Sequence, residues 1–156
     1  MRRATFQSDK VLDGGQQHHT CGGEYKDLPM ERFFIWIDGV GGYLVCPEAR
    51  VTIGRAGDPN LDVPILADIA SRHLELRRSG EGYLLQAHAA TMLDGRPVQQ
   101  AILGDRCQIQ LGSSVVLGFS CPSPLSLSAR LDFLSGHSTV PTTDGVLLLA
   151  HSLILG

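Results

Sequence analysis

The sequence predicts an all-β sandwich of short, mostly antiparallel strands. Alternating runs such as Leu74-Glu75-Leu76-Arg77 and Cys107-Gln108-Ile109-Gln110-Leu111 turn one face of an extended chain inward and leave the other polar. Turn-forming pairs, Asp38-Gly39, Asp94-Gly95 and Gly104-Asp105 among them, separate strand-like runs spaced about eight to twelve residues apart. No stretch sustains a helical apolar period with caps, and the best helical candidate, Leu66 to Ala70, is too short to matter.

The elements follow in order. Phe33 to Ile37 reads as a buried strand, and Asp38-Gly39 as the turn into its partner, Gly42 to Cys46. Pro47 to Arg50 turns into Val51-Thr52-Ile53. Ala56 to Asp62 is loop by composition. Val63 to Leu66 reads as a short strand that Pro64, lacking an N–H, confines to a sheet edge. Leu74 to Arg77 and Tyr83 to Leu85 are joined by the glycine turn at 79–82. Thr91-Met92-Leu93, Asp94-Gly95 and Arg96-Pro97-Val98 make a tight hairpin signal. Cys107 to Leu111 and Val115 to Phe119 complete the series.

The chain has 156 residues, 43% of them hydrophobic, enough for a real core. Aromatics are only 6%, so Val, Leu and Ile must fill it. Thirteen basic and 16 acidic residues leave a net charge of −3, which argues against nonspecific nucleic-acid binding while allowing a local basic pocket. The cysteines, Cys21, Cys46, Cys107 and Cys121, form no C-x-x-C pair and follow no export signal. That pattern fits reduced thiols in a cytoplasmic protein, although spacing alone does not exclude a disulfide. The run from Gly145 to Ala150 is too short to span a bilayer, so no membrane partner is expected.

Three segments are expected. Residues 1–31, polar and without period, read as a flexible arm. Residues 32–121 hold the sandwich. Residues 122–156 carry extra strands, at 129–134, 145–149 and 152–155. Their order of strand, glycine turn, strand, strand loosely repeats 32–54. They fit either an incomplete second copy or an extra hairpin packed on the main sandwich.

Two polar islands interrupt the apolar texture: Gly54-Arg55 at the end of one strand and Ser71-Arg72-His73 at the start of another. Brought to one end of a sandwich, they offer an anion a guanidinium fork and a hydroxyl. Arginine grips two phosphate oxygens at once and keeps its proton. The simpler alternative pairs Arg55 with Asp58 or Asp62. Ser71, His73 and Asp68 could be read as a hydrolase set, but no G-x-S-x-G elbow surrounds the serine. His18-His19-x-Cys21 offers metal-ligand types without a fourth partner, and Gly39-Val40-Gly41-Gly42 lacks the lysine and helix of a nucleotide loop.

Gly54-Arg55, Ser71-Arg72-His73, the Thr91-to-Gly95 hairpin, Leu103-Gly104-Asp105 and Leu111-Gly112, in that order, resemble the forkhead-associated (FHA) domain over Phe33 to Phe119. The opening, Phe33 to Gly54, is similar to FHA proteins of planctomycete-type bacteria. The resemblance implies an eleven-strand sandwich, a noncatalytic module that binds phosphothreonine-containing proteins or peptides in signalling and needs no cofactor. It implies that Arg55 and Ser71 hold the phosphate, with Arg72, His88 and Thr91 completing the phosphopeptide surface. Gly54, His73, Asp94 and Gly95 would support the loops. The loop that reads Ser-x-Asn-Gly-Thr in the family is Ala87-His88-Ala89-Ala90-Thr91 here. Losing its asparagine at Ala89 removes a peptide-backbone clamp worth about 1–3 kcal/mol where its partners go unsatisfied. A protonated His88 could compensate with charge. The alternative is a phosphate-independent scaffold that oligomerises through its C-terminal strands. Thr5, Thr20, Thr139, Thr142 and Thr143, expected in flexible segments, are candidate sites for creating an internal or neighbouring-chain ligand.

Overall fold

The computed structural model describes residues 4–7, 31–80, 82–123 and 126–149. Among them are fourteen strands and no helix: β1 (Ala4–Gln7), β2 (Phe33–Ile37), β3 (Gly41–Cys46), β4 (Arg50–Arg55), β5 (Val63–Ile65), β6 (Leu74–Ser79), β7 (Gly82–Ala87), β8 (Thr91–Leu93), β9 (Arg96–Pro97), β10 (Gln100–Leu103), β11 (Arg106–Leu111), β12 (Val115–Ser120), β13 (Ala129–Phe133) and β14 (Gly145–Leu148). They form a nine-stranded sheet, β1-β2-β3-β14-β13-β12-β11-β8-β9, and a five-stranded sheet, β10-β7-β6-β4-β5. No described helix is long and apolar enough to cross a membrane.

The core is drawn from both sheets: Leu44 from β3, Ile53 from β4, Leu74 and Leu76 from β6, Leu85 from β7, Ile109 and Leu111 from β11, Leu117 from β12 and Leu131 from β13. Each such side chain stabilises the fold by about 1.5–3 kcal/mol when fully buried. The alternation that predicted β6 and β11 therefore has its expected cause. Asp94 and Gly95, at φ 48° and 80°, form the tight turn between β8 and β9. Pro64 lies in β5, at the edge of its sheet, as its missing N–H requires.

Some expectations are corrected. The segment 1–31 contains β1, which pairs antiparallel with β2; its other residues before 31 lie outside the described set. Strand β2 is half-buried rather than buried, and Trp36 is 58% exposed. The resemblance implied eleven strands, and the described residues hold fourteen. Strands β13 and β14 do not begin a second copy. They sit inside the nine-stranded sheet, with β13 antiparallel to β12 and β14 parallel to β3. The reason is burial: Leu131, Val146 and Leu148 enter the same core as Leu44 and Leu117. Both strands are flanked on either side, so they present no open edge for pairing with another chain. The expected strand at 152–155 lies outside the described residues.

The topology fixes which loops meet. Strand β4 ends where β6 begins, with Ile53 opposite Leu74, and Leu74 faces Ala87 at the end of β7. Thr91, opening β8, faces Leu111, closing β11. The segments around 54–57, 66–73, 88–91 and 112–114 therefore share one end of the sandwich.

Candidate anion-binding loops

Gly54 forms the floor of this end. A Cβ placed there would overlap the Ser71 carbonyl oxygen and lie 2.7 Å from its carbonyl carbon and 3.1 Å from the Arg72 Cα. Glycine is required by this close approach. It lets β4 and the 70–72 segment touch, and the Arg55 N–H donates to the Ala70 carbonyl at 3.0 Å. Arg55 and Ser71, sixteen positions apart in sequence, are thereby neighbours at the rim.

The side chains at this rim are available. Arg55 is exposed, and its ion-pair contact is a loose 4.0 Å approach to the fully exposed Asp68. Neither Asp58 nor Asp62 takes it. The Asp62 carboxylate accepts from the Thr52 N–H and hydroxyl at 2.7 and 2.8 Å, and Asp58 accepts from the Asn60 N–H at 2.9 Å. Ser71 and Arg72 are both exposed. His88 is exposed on the neighbouring loop and lines an open groove of about 930 Å³ with Ala89, Ala90, Met92, Val98 and Gln100.

His73 joins the two loops from behind. It is buried, its Nδ1 accepts from the Ala70 N–H at 3.2 Å, and its Nε2 lies 2.9 Å from the Ala90 carbonyl. A carbonyl can only accept, so Nε2 carries the proton and Nδ1 the lone pair. The His73 carbonyl in turn accepts from the His88 and Ala89 N–H groups at 2.8 and 3.2 Å. Both ring nitrogens being engaged with backbone, none is left to activate Ser71, and the hydrolase arrangement fails on geometry.

Thr91 departs from its expected place on the peptide surface. It is buried, and its hydroxyl donates to the Ala89 carbonyl at 2.9 Å, so it shapes the loop from within. Asp94 supports the neighbouring hairpin: its carboxylate accepts from the Gln108 N–H at 2.8 Å, and its own N–H donates to the Gln108 carbonyl at 2.9 Å. Gly95 supplies the second positive φ of that turn.

Backbone groups were the part missed from sequence. The Ala90 carbonyl also accepts from the Gly112 N–H at 2.9 Å, with Gly112 at φ 59°. The glycine of Leu111-Gly112 was the one available signal. His18, His19 and Cys21 lie outside the described residues; among the described ones no cluster of three His, Cys, Asp or Glu could hold a metal ion.

The sandwich thus brings an exposed arginine, an exposed serine and a largely uncharged groove that includes His88 to loops at one end, the arrangement of a loop-surface interaction module. Residues 51–112 match the FHA domain family model. Two solved structures are similar to the chain. One is the NMR-based structure of the FHA-2 domain from the Mycobacterium tuberculosis ABC transporter Rv1747, 21% identical, covering 78% of this chain and 99% of that one at a TM-score of 0.47. The other is the Rv0020c FHA structure, 34% identical, covering 48% of this chain and 77% of that one at a TM-score of 0.37. No curated protein matches. The family model thus places an FHA domain within the sandwich, over residues 51–112. FHA domains are in general noncatalytic protein-interaction modules that bind phosphopeptides.

Proposed function

We propose that this chain reads phosphothreonine in a protein partner, as a bacterial cytoplasmic signalling module. Arg55 and Ser71 hold the phosphate, and Arg72 and His88 flank it. The observation that supports the reading is the close approach of the Gly54 backbone to that of Ser71 and Arg72, with the side chains of Arg55, Ser71 and Arg72 all exposed. A phosphothreonine brings about −1.5 to −2 charges and three acceptor oxygens, the complement of this donor set. Ala89 stands where the family's loop carries its peptide-clamping asparagine, so affinity rests chiefly on the phosphate.

Calorimetry with a degenerate phosphothreonine peptide library, its phosphoserine counterpart and the unphosphorylated form tests this. Binding should require the phosphate and favour threonine. Arg55→Ala removes charge-assisted bonds of about 1.5–3 kcal/mol each, so affinity should fall at least tenfold, with unfolding stability within about 0.5 kcal/mol. Equal binding of the unphosphorylated library, or indifference to Arg55→Ala, rejects the proposal.

A further inference from the structure

Among the described residues Thr142 is the one exposed threonine. Thr52, Thr91, Thr139 and Thr143 are buried, and the Thr139 and Thr143 hydroxyls bond each other at 2.7 Å. Thr139 and Thr143 are thereby removed as acceptors from solution, against the expectation that they lie in a flexible segment; Thr20 and the Thr5 side chain lie outside the described residues.

Thr142 stands at the tip of the segment joining β13 to β14, and the tip is held on both sides. The Val140 N–H donates to the Pro64 carbonyl at 3.0 Å, and the Asp144 N–H donates to the Gly42 carbonyl at 2.8 Å. The Asp144 carboxylate accepts from the Gly42 N–H at 2.7 Å. Thr139 stands opposite Ile65, and Ile65 stands opposite Arg55. Two strand spacings of about 5 Å each therefore separate the Thr139 backbone from that of Arg55. Thr142 follows three residues on, so tip and anion site share one flank of the sandwich.

The surroundings of Thr142 suit a phosphate poorly. It lines a pocket of about 370 Å³ with Phe34, Trp36, Tyr43 and other uncharged residues, and exposed Asp144 is two positions away. Arg130, 5.3 Å above the Tyr43 ring, is paired with Asp132 at 2.6 Å. Arg55 has the reverse condition: a guanidinium with only a loose, solvated carboxylate contact. The held tip cannot swing to its own Arg55 without breaking the bonds at Val140 and Asp144.

We propose that Thr142 is a phosphorylation site whose phosphate occupies the Arg55–Ser71 site of a second copy of this chain. The inference rests on the phosphothreonine reading above. A kinase transfers the γ-phosphoryl group of a nucleoside triphosphate to the Thr142 oxygen. A new O–P bond forms, the β–γ bridging bond breaks, the hydroxyl proton leaves and the nucleoside diphosphate departs. Because donor and acceptor lie on the same flank, two copies pair reciprocally about a two-fold axis, each supplying one phosphate and one arginine. Once the first contact forms, the second is intramolecular, which closes a dimer rather than a filament.

The test is sedimentation equilibrium of the full chain carrying phosphothreonine installed at position 142, against the unmodified chain. The modified chain should show a twofold higher mass, and Arg55→Ala in the modified chain should return it to the unmodified value. Trp36, the chain's single tryptophan, lines the Thr142 pocket, so its emission should shift over the same concentration range. A modified chain that keeps the unmodified mass while still binding phosphothreonine peptide through Arg55 overturns this inference and leaves the peptide reading standing. If the peptide also fails to bind, both fall. A mass that climbs past two chains with concentration overturns the reciprocal arrangement.

Discussion

Gly54→Ala is the sharpest probe of how the site is assembled. The added Cβ would lie 2.7 Å from the Ser71 carbonyl carbon and overlap its oxygen, where carbon atoms rest at about 3.5–4.0 Å. The obstacle is backbone, so β4 and the 70–72 segment must separate by about 1 Å. Overpacking of this kind costs about 1–3 kcal/mol. Backbone cannot yield as a side chain does, which places this case near about 3 kcal/mol by that scale. Alanine returns about 0.4–1 kcal/mol by restricting the unfolded chain. A net loss of about 2 kcal/mol should appear in urea unfolding, with a fall in melting temperature of about 4–8 °C. The same displacement carries the Ser71 hydroxyl away from Arg55. Phosphopeptide affinity, measured where the variant is still folded, should therefore fall about tenfold, by the loss of one hydrogen bond to a charged group. A Gly54→Ala variant of unchanged stability and unchanged affinity would refute the close approach as the device that assembles the site.

Three further outcomes follow from the same geometry. Asp68→Asn removes the carboxylate that approaches Arg55, so phosphopeptide affinity should rise about twofold at low salt, and the gain should vanish at high salt; a loss of affinity would count against the assignment of Arg55. His73→Ala strips the Ala70 N–H of its acceptor and opens a cavity between the two loops, which should cost about 3 kcal/mol in denaturant unfolding; a change below about 1 kcal/mol would deny its bridging role. Burial, with Asp62 adding, pushes the Cys46 thiol from its ordinary 9.0 up to about 12, so the folded chain keeps the proton longer than the unfolded one. Stability should hold below about pH 9 and decline above it, and alkylation of native Cys46 at pH 8 should proceed no faster than unfolding. Rapid modification of Cys46 in the folded protein would contradict this.

Local rules made much of the fold legible. The period-two runs of β6 and β11 read correctly because each strand turns one face to the core. Asp94-Gly95 announced its turn because both positions need positive φ. Pro64 marked an edge because it cannot donate to a ladder. The two polar islands were visible because an arginine and a serine interrupt apolar text at strand ends. Thr91 misled because its sequence neighbourhood says nothing of its 4% exposure or of its bond to Ala89.

The sequence alone determined the sandwich class and the positions of most of its strands, β1 and β10 excepted, since each follows from the pattern of a few neighbouring side chains. Tertiary structure decided the place of β14, which lies parallel to β3 across a separation of 102 residues at Gly42 and Asp144. It also decided the tautomer of His73 and which threonine meets solvent. Those outcomes depend on which distant backbone groups come to share a core or a hydrogen bond, and no local periodicity encodes that choice.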